Sequence, residues 1–234
     1  MTCKGTEAKN SQEPSCATSK RKRSQASETA KKVRRTQHER STEARTKLLT
    51  AAIDLICARG FSATSMADIA QRAGMTRGAI QHHFTGRNEL VIAIMGALED
   101  KTAEALADIE GKGLTSFEDK LDLTLNRLAE NVQTDTYLAV LDIWVSTRAD
   151  PQLGKAVRDF VARSARHYRE LWARLFDKDL SPEIQDETLR IIVAVLRGLV
   201  VSRIFHIAPR SADLTISIAR DAIKSRIADL PRKA

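Results

Sequence analysis

Aromatic side chains are scarce in this chain, with two Trp, two Tyr and six Phe among 234 residues, and glycine (10) and proline (5) are few as well. Strands and tight turns draw on these residue types, and no alternating apolar–polar pattern appears, so a helical protein is expected. Cysteine is equally sparse: Cys3, Cys16 and Cys57 are too few, and odd in number, for a disulfide framework. A reducing cytoplasm is the expected compartment, and Cys57 reads as a small core residue of a helix. The longest apolar run, Ile191 to Val201, is broken by Arg197 and is too short to span a bilayer. The N-terminus is polar and charged, so no secretory signal is expected.

Catalytic signatures are missing too. There is no Gly-rich phosphate loop, no Gly-x-Ser-x-Gly and no paired-cysteine zinc pattern, so no catalytic residue and no cofactor is assigned. His82-His83 is the best metal-like pair. Adjacent helical residues point about 100° apart and do not chelate one ion together. No cysteine or carboxylate lies nearby at ligand spacing, so no metal is expected.

What is present is a strongly placed charge. The net charge is +8, and residues 1–45 alone hold 12 of the 38 Lys and Arg against 5 of the 30 Asp and Glu. The rest of the chain is close to balanced. Residues 1–40 are nearly free of apolar side chains and contain Lys20-Arg21-Lys22-Arg23 and Lys31-Lys32-Val33-Arg34-Arg35. Such a segment cannot bury enough surface to offset its ordering entropy, so it reads as a disordered basic arm. Its place before the next element suits contact with DNA phosphates or the minor groove.

That next element centres on Thr64 to Leu90. Ser65 and Asp68 have capping-box spacing, Met66, Ile69, Ala70 and Ala73 recur at helical spacing, and Gly74 is placed to end the helix in the left-handed conformation. Thr76 can cap a second helix from about Arg77 to His83. Small Ala70, turn Gly74 and apolar Ile80 have the spacing of a helix-turn-helix, with Ala70 at the helix crossing and Ile80 plugging the angle. Such a pair places the N-terminal part of its second helix in the major groove. Arg77, Gly78, Gln81 and His82 then point outward: Arg77 and Gln81 suit guanine and adenine edges, His82 a base or phosphate, and Gly78 lets the backbone approach. A preceding helix from about Thr42 to Arg59 carries Leu48, Ala52, Leu55 and Ile56 as its core stripe, ends at Gly60, and is followed by Phe61 as an anchor. Near its start, Arg45 and Thr46 can touch phosphate.

At these residues the chain resembles the tetracycline-repressor (TetR) family of bacterial transcription regulators. The resemblance rests on Arg45 to Phe61, on TSMADIAQRAGMTRGAIQHHF (Thr64–Phe84), and on the following Phe84-x-x-Arg87-x-x-Leu90. Two residues depart from it: Gln81 stands where the family often has a phosphate-contacting tyrosine, and Arg87 where a lysine is usual. The resemblance implies an all-α protein. A three-helix helix-turn-helix DNA-binding domain at 41–86 would follow the arm at 1–40 and precede a helical effector-binding and dimerisation domain at 87–234. It implies a homodimer on a double-stranded palindromic DNA operator, acting as a ligand-responsive repressor. Arg45, Thr64, Ser65, Thr76 and Arg87 would hold phosphates and set register. The contrasting reading, a non-specific architectural protein driven by the basic arm, would bind any duplex alike.

Beyond Leu98 only size and helical character carry the resemblance. Helices are expected from about Gly86 to Ile109, Ser116 to Val132 (with Thr115 and Glu118 as a capping box), Tyr137 to Arg148, Asp150-Pro151 to Phe176, Ser181-Pro182 to Phe205, and Ala212 to Leu230. Phe117, Leu121, Leu125, Tyr137 and Trp144 are candidate walls of a cavity for a small apolar or amphipathic effector. Phe160 and Trp172 complete that set, with Arg148 and His167 as polar groups. The last two helices are broadly apolar and need a second burial surface, which a symmetric partner supplies. Leu196, Gly198, Leu199, Ile218 and Ala222 are the candidate dimer contacts.

Overall fold

The computed structural model describes residues 36–176, 180–205 and 210–228. Among these residues there is no strand, and the order is α1 (Gln37–Arg59), α2 (Met66–Arg72), α3 (Arg77–His83), α4 (Arg87–Gly111), α5 (Phe117–Val132), α6 (Asp135–Ser146), a 3-10 turn (Thr147–Ala149), α7 (Pro151–Phe176), α8 (Pro182–Ile204) and α9 (Arg210–Ala228). The basic clusters expected to form an arm lie outside the described residues.

Two expectations are corrected by capping chemistry. Helix α1 starts at Gln37, not near Thr42, so residues 37–40 are helical and do not belong to a structureless arm. Thr36 and Glu39 explain this. The Thr36 N–H donates to Glu39 Oε2 at 2.7 Å and the Glu39 N–H to Thr36 Oγ1 at 3.2 Å, a reciprocal box that satisfies two orphan amides. At α5 the cap is Ser116, not Thr115. Ser116 Oγ accepts the Asp119 N–H at 3.3 Å and donates to Glu118 Oε2 at 3.0 Å.

Helix α6 also starts earlier than expected, at Asp135 behind a Thr134 cap, and ends at Ser146 with Arg148 in the 3-10 turn, and α9 starts at Arg210 instead of Ala212. Other boundaries follow the sequence signals. Asp150 Oδ1 accepts the Leu153 N–H at 3.0 Å, with Pro151 at the first position of α7. Gly74, with φ +69°, sits past the C-cap Ala73. Its N–H donates to the Gln71 carbonyl and the Met75 N–H to the Ala70 carbonyl, the paired bonds of a Schellman ending.

From Glu43 onward the helices bury two clusters of apolar side chains. The first joins Leu48, Ala52 and Ile56 of α1, Ile69, Ile80 and Phe84, Leu90 to Leu98 of α4, Ala139 to Ile143 of α6, and Leu153 and Val157 of α7. The second joins Leu106 and Ile109 of α4 with α5, the end of α7, α8 and α9. Helix α4 therefore belongs to both, and at 25 residues it runs roughly 37 Å between them.

Candidate DNA interface and ligand cavity

The helix-turn-helix is fixed at three points. Ser65 caps α2 in a complete box with Asp68, whose carboxylate also takes Arg59 at 2.6 Å. Hydrogen bonds from Ser65, with the Arg59 charge, hold the Asp68 carboxyl below its ordinary range. Thr76 Oγ1 caps α3 by accepting the Ala79 N–H at 3.2 Å. Between the helices, Ala70 is 2% exposed and Ile80 is 0% exposed, so the small residue lies at the crossing and the isoleucine fills the angle. Arg77, Gly78, Gln81 and His82 are exposed on the opposite face of α3. A Cβ at Gly78 would meet only Thr76 Oγ1, at 3.9 Å, so this face is open to an incoming surface. The His82 and His83 rings stack at 5.4 Å, and no group of three potential metal ligands occurs among the described residues.

The residues expected to hold phosphates divide into two kinds. Ser65 and Thr76 are exposed at the starts of α2 and α3, and Thr46 is exposed on α1. Thr64 is buried, with its hydroxyl donating to the Gly60 carbonyl at 2.9 Å. Arg45 and Arg87 have intramolecular partners. Arg45 donates to the His83 carbonyl at 3.0 Å and its guanidinium lies 4.3 Å from the Phe84 ring centroid. Arg87 donates to the Phe61 carbonyl and stacks 3.8 Å from the Phe61 ring centroid. Partial burial lowers the Arg87 pKa, yet a guanidinium stays cationic at neutral pH.

A cavity of about 470 Å³ lies between α4, α5, α6, α7 and α8. Its walls include Tyr137, Trp144, Phe160 and Trp172, four of the nine side chains expected there. The other five lie elsewhere. Phe117 packs edge-on against Phe176 at 5.7 Å, Leu121 and Leu125 belong to the second core, and Arg148 and His167 are exposed. The polar lining includes residues that the sequence pattern does not single out, Glu99, Thr102, Asn131, Ser164, Tyr168 and Arg197, with the charged Arg169, Asp186 and Arg190 also on the wall. Ser164 donates to Glu99 at 3.0 Å and Asn131 to Thr102 at 2.6 Å. A signal is present on α4, where Met95, Leu98, Glu99, Thr102 and Leu106 share one stripe, and two polar residues interrupt an apolar face. Burial pushes the Tyr168 phenol up to about 12 and raises Tyr137 as well, so both walls are neutral at physiological pH. Burial likewise raises the Cys57 thiol, whose Sγ donates to the Asp135 carbonyl at 3.3 Å, which suits a packing role rather than a reactive one.

Residues 48–94 match the model of the bacterial regulatory proteins of the tetR family, from α1 into the start of α4. Across 193 residues the chain is 30% identical to the HTH-type transcriptional regulator CymR of Pseudomonas putida, covering 80% of this chain and 95% of that protein. The chain belongs to the TetR family. The HTH-type transcriptional regulator TtgR, also of Pseudomonas putida, is 44% identical over 68 residues, 29% of this chain and 32% of that protein. A solved transcriptional regulator from Rhodococcus sp. Rha1 shares the fold with a TM-score of 0.61 at 19% identity, covering 80% of this chain and 99% of the other.

TetR-family membership makes this chain a DNA-binding transcriptional regulator and disfavours the architectural reading, since a relative matched over nearly its whole length is an HTH-type regulator. Among the described residues no helix is long and apolar enough to cross a membrane.

Proposed function

We propose that this TetR-family chain is a repressor that binds a palindromic operator as a homodimer and is released by a small apolar or amphipathic effector. Arg77, Gln81 and His82 read base edges, while Arg45, Thr46, Ser65, Thr76 and Arg87 lie along the phosphates, with Gly78 allowing close approach. The expected phosphate contact of Thr64 is dropped, because its buried hydroxyl already donates to the Gly60 carbonyl. The protein works by binding alone, in the bacterial cytoplasm where its DNA is.

The observation that carries this reading is the double membership of α4. Its Leu90, Val91 and Ile94 are buried against the helix-turn-helix, and its Met95 to Leu106 stretch lines the cavity. An effector that fits the cavity better in one arrangement of α4 shifts the population of recognition-helix spacings.

The dimer face is supported by an exposed apolar stripe. Ile191, Ala194, Gly198, Val201 and Phe205 of α8 and its end alternate at spacings of three and four, and all are exposed. Leu214, Ile218 and Ala222 add a second exposed row on α9. A Cβ at Gly198 meets nothing within 4 Å in the same chain, which leaves room for a close helix from outside. Of the five candidate contacts, Gly198, Ile218 and Ala222 lie on this face; Leu196 is buried and lines the cavity, and Leu199 packs on the second core.

Selection of bound duplexes from a random pool, at near-physiological salt, tests the reading. A palindromic consensus with half-sites about one helical turn apart, roughly 34–36 Å, supports it. Binding with no consensus overturns it. A labelled operator carrying that consensus then reports effectors, as small molecules that release it.

A further inference from the structure

Helix α6 has two working faces. At about 100° per residue, Asp135, Ala139, Asp142 and Ser146 fall on one side, and Tyr137, Val140 and Trp144 fall about 180° round on the other. The second face is a wall of the cavity. The first face is fastened to the DNA-binding domain. Ala139 is buried in the first core, Cys57 Sγ of α1 reaches the Asp135 carbonyl at 3.3 Å, and the Asp142 carboxylate accepts the Phe61 N–H at 2.5 Å. Asp142 also lies close under Gly60, where an added Cβ would sit 3.6 Å from its Oδ2.

Phe61 is the residue at which three helices meet. It follows the left-handed Gly60 that ends α1, and it leads through Thr64 into the α2 cap. Its N–H is held by α6 through Asp142, and its carbonyl and ring are held by α4 through Arg87. The α1–α2 turn is thus clamped from both sides by helices that line the cavity.

We propose that Asp142 is the positioning residue that transmits the state of the cavity to the helix-turn-helix, with α6 as a short lever between them. The proposal rests on the reading of the cavity as the effector site. A molecule that displaces Tyr137 or Trp144 rotates or shifts α6, and the Asp142–Phe61 hydrogen bond carries that shift into the α1–α2 turn, against the hold of Arg87 on the same residue. The part-buried side-chain oxygen matters because a hydrogen bond across 81 residues of sequence fixes the Phe61 amide to α6 in one direction, so a shift of α6 reaches the turn.

The test is a thermodynamic cycle on the full-length protein with its selected operator, and it uses no effector. Operator Kd is measured for the wild type, Trp144→Ala, Asp142→Ala and the double variant. Trp144→Ala removes a cavity-wall side chain whose ring also packs on the first core, and it is expected to shift Kd by about 3- to 10-fold. In the Asp142→Ala background that shift is expected to fall below about twofold, and in Asp142→Asn, which keeps an oxygen acceptor, it is expected to return. An equal shift in both backgrounds, or none in either, overturns the proposal. Amide exchange at Phe61 gives a readout that leaves Asp142 in place: faster exchange in Trp144→Ala supports the lever, and unchanged exchange counts against it. Failure of the effector reading shows separately, as the absence of any small molecule that releases operator from the wild type, while the cycle stays non-additive.

Discussion

Two neighbours on α3 make a sharp experiment, because position 80 faces the domain core and position 81 faces outward. Ile80 is 0% exposed and closes the angle between α2 and α3. Ile80→Ala removes about three buried carbons, worth roughly 0.8 kcal/mol each in transfer alone. With Ala70 and Phe84 already packed at the site, collapse around the gap is limited, and the total cost is about 2–5 kcal/mol. Gln81 is exposed, so Gln81→Ala changes stability by no more than about 0.5 kcal/mol. Its effect lies in the complex instead, where loss of a base contact costs about 1–3 kcal/mol, or roughly 5- to 150-fold in operator Kd. Urea unfolding at fixed protomer concentration separates the two, followed by operator titration and repeated duplex selection. Ile80→Ala lowers the unfolding midpoint. Gln81→Ala keeps the midpoint and relaxes the consensus at one position per half-site. A Gln81→Ala protein that selects the unchanged consensus refutes the base-reading role, and an Ile80→Ala protein of wild-type stability refutes the plug.

Acid should weaken the helix-turn-helix through Asp68 and Glu89, whose carboxyls are both held below their ordinary values by hydrogen bonds from Ser65 and Thr85 respectively. A depressed folded-state pKa gives stability that is full above the ordinary carboxylate range and is lost as pH falls through the folded value. Unfolding followed from about pH 6 to about pH 2 should therefore show a shallower acid limb in Asp68→Asn, and an identical limb refutes the assignment. Val201→Asp and Ile218→Asp place charges on the exposed stripe of α8 and α9, so sedimentation should show monomers that remain helical. Dimers of undiminished stability would move the interface elsewhere. Deletion of residues 1–35 should lower specific and non-specific DNA affinity together and flatten the dependence of log Kd on log salt. An unchanged slope makes the arm a passive tail.

The helix-turn-helix is legible in the sequence because its determinants are local. Ser65, Gly74, Thr76 and Ile80 act within one or two turns of their own position, and the spacing alone places them. The start of α1 is equally local, in the Thr36–Glu39 box, but the polar composition around it hides the signal. The cavity is legible only in part, because its walls come from five helices. Apolar residues at helical spacing serve a core and a cavity alike, so Leu121 and Trp172 look the same in sequence although only Trp172 lines the space. Asp142 is invisible for a different reason. Its partner Phe61 is 81 residues away, and nothing in local periodicity links a carboxylate on α6 to a backbone amide after α1.

Arg45 and Arg87 form a symmetrical pair around the helix-turn-helix. Phe61 precedes α2 and Phe84 follows α3, both are buried, and each carries a guanidinium on its face. Each arginine also holds a backbone carbonyl at the same junction, so the two cations clip both ends of the unit. This gives a physical reason for an arginine at position 87, where the resembling family usually has lysine. A planar guanidinium can stack and donate at once, whereas an ammonium on a flexible stem cannot do both in one fixed geometry. Arg87→Lys keeps the charge near the phosphates and removes the stacked fork. A role confined to phosphate contact predicts an unchanged unfolding midpoint and an operator Kd within about twofold. The clip predicts a loss of about 1 kcal/mol in stability, with the α1–α2 turn exchanging its amides faster. Equal stability and equal exchange in Arg87→Lys would return Arg87 to phosphate contact alone and leave Asp142 as the one side-chain anchor on the Phe61 backbone.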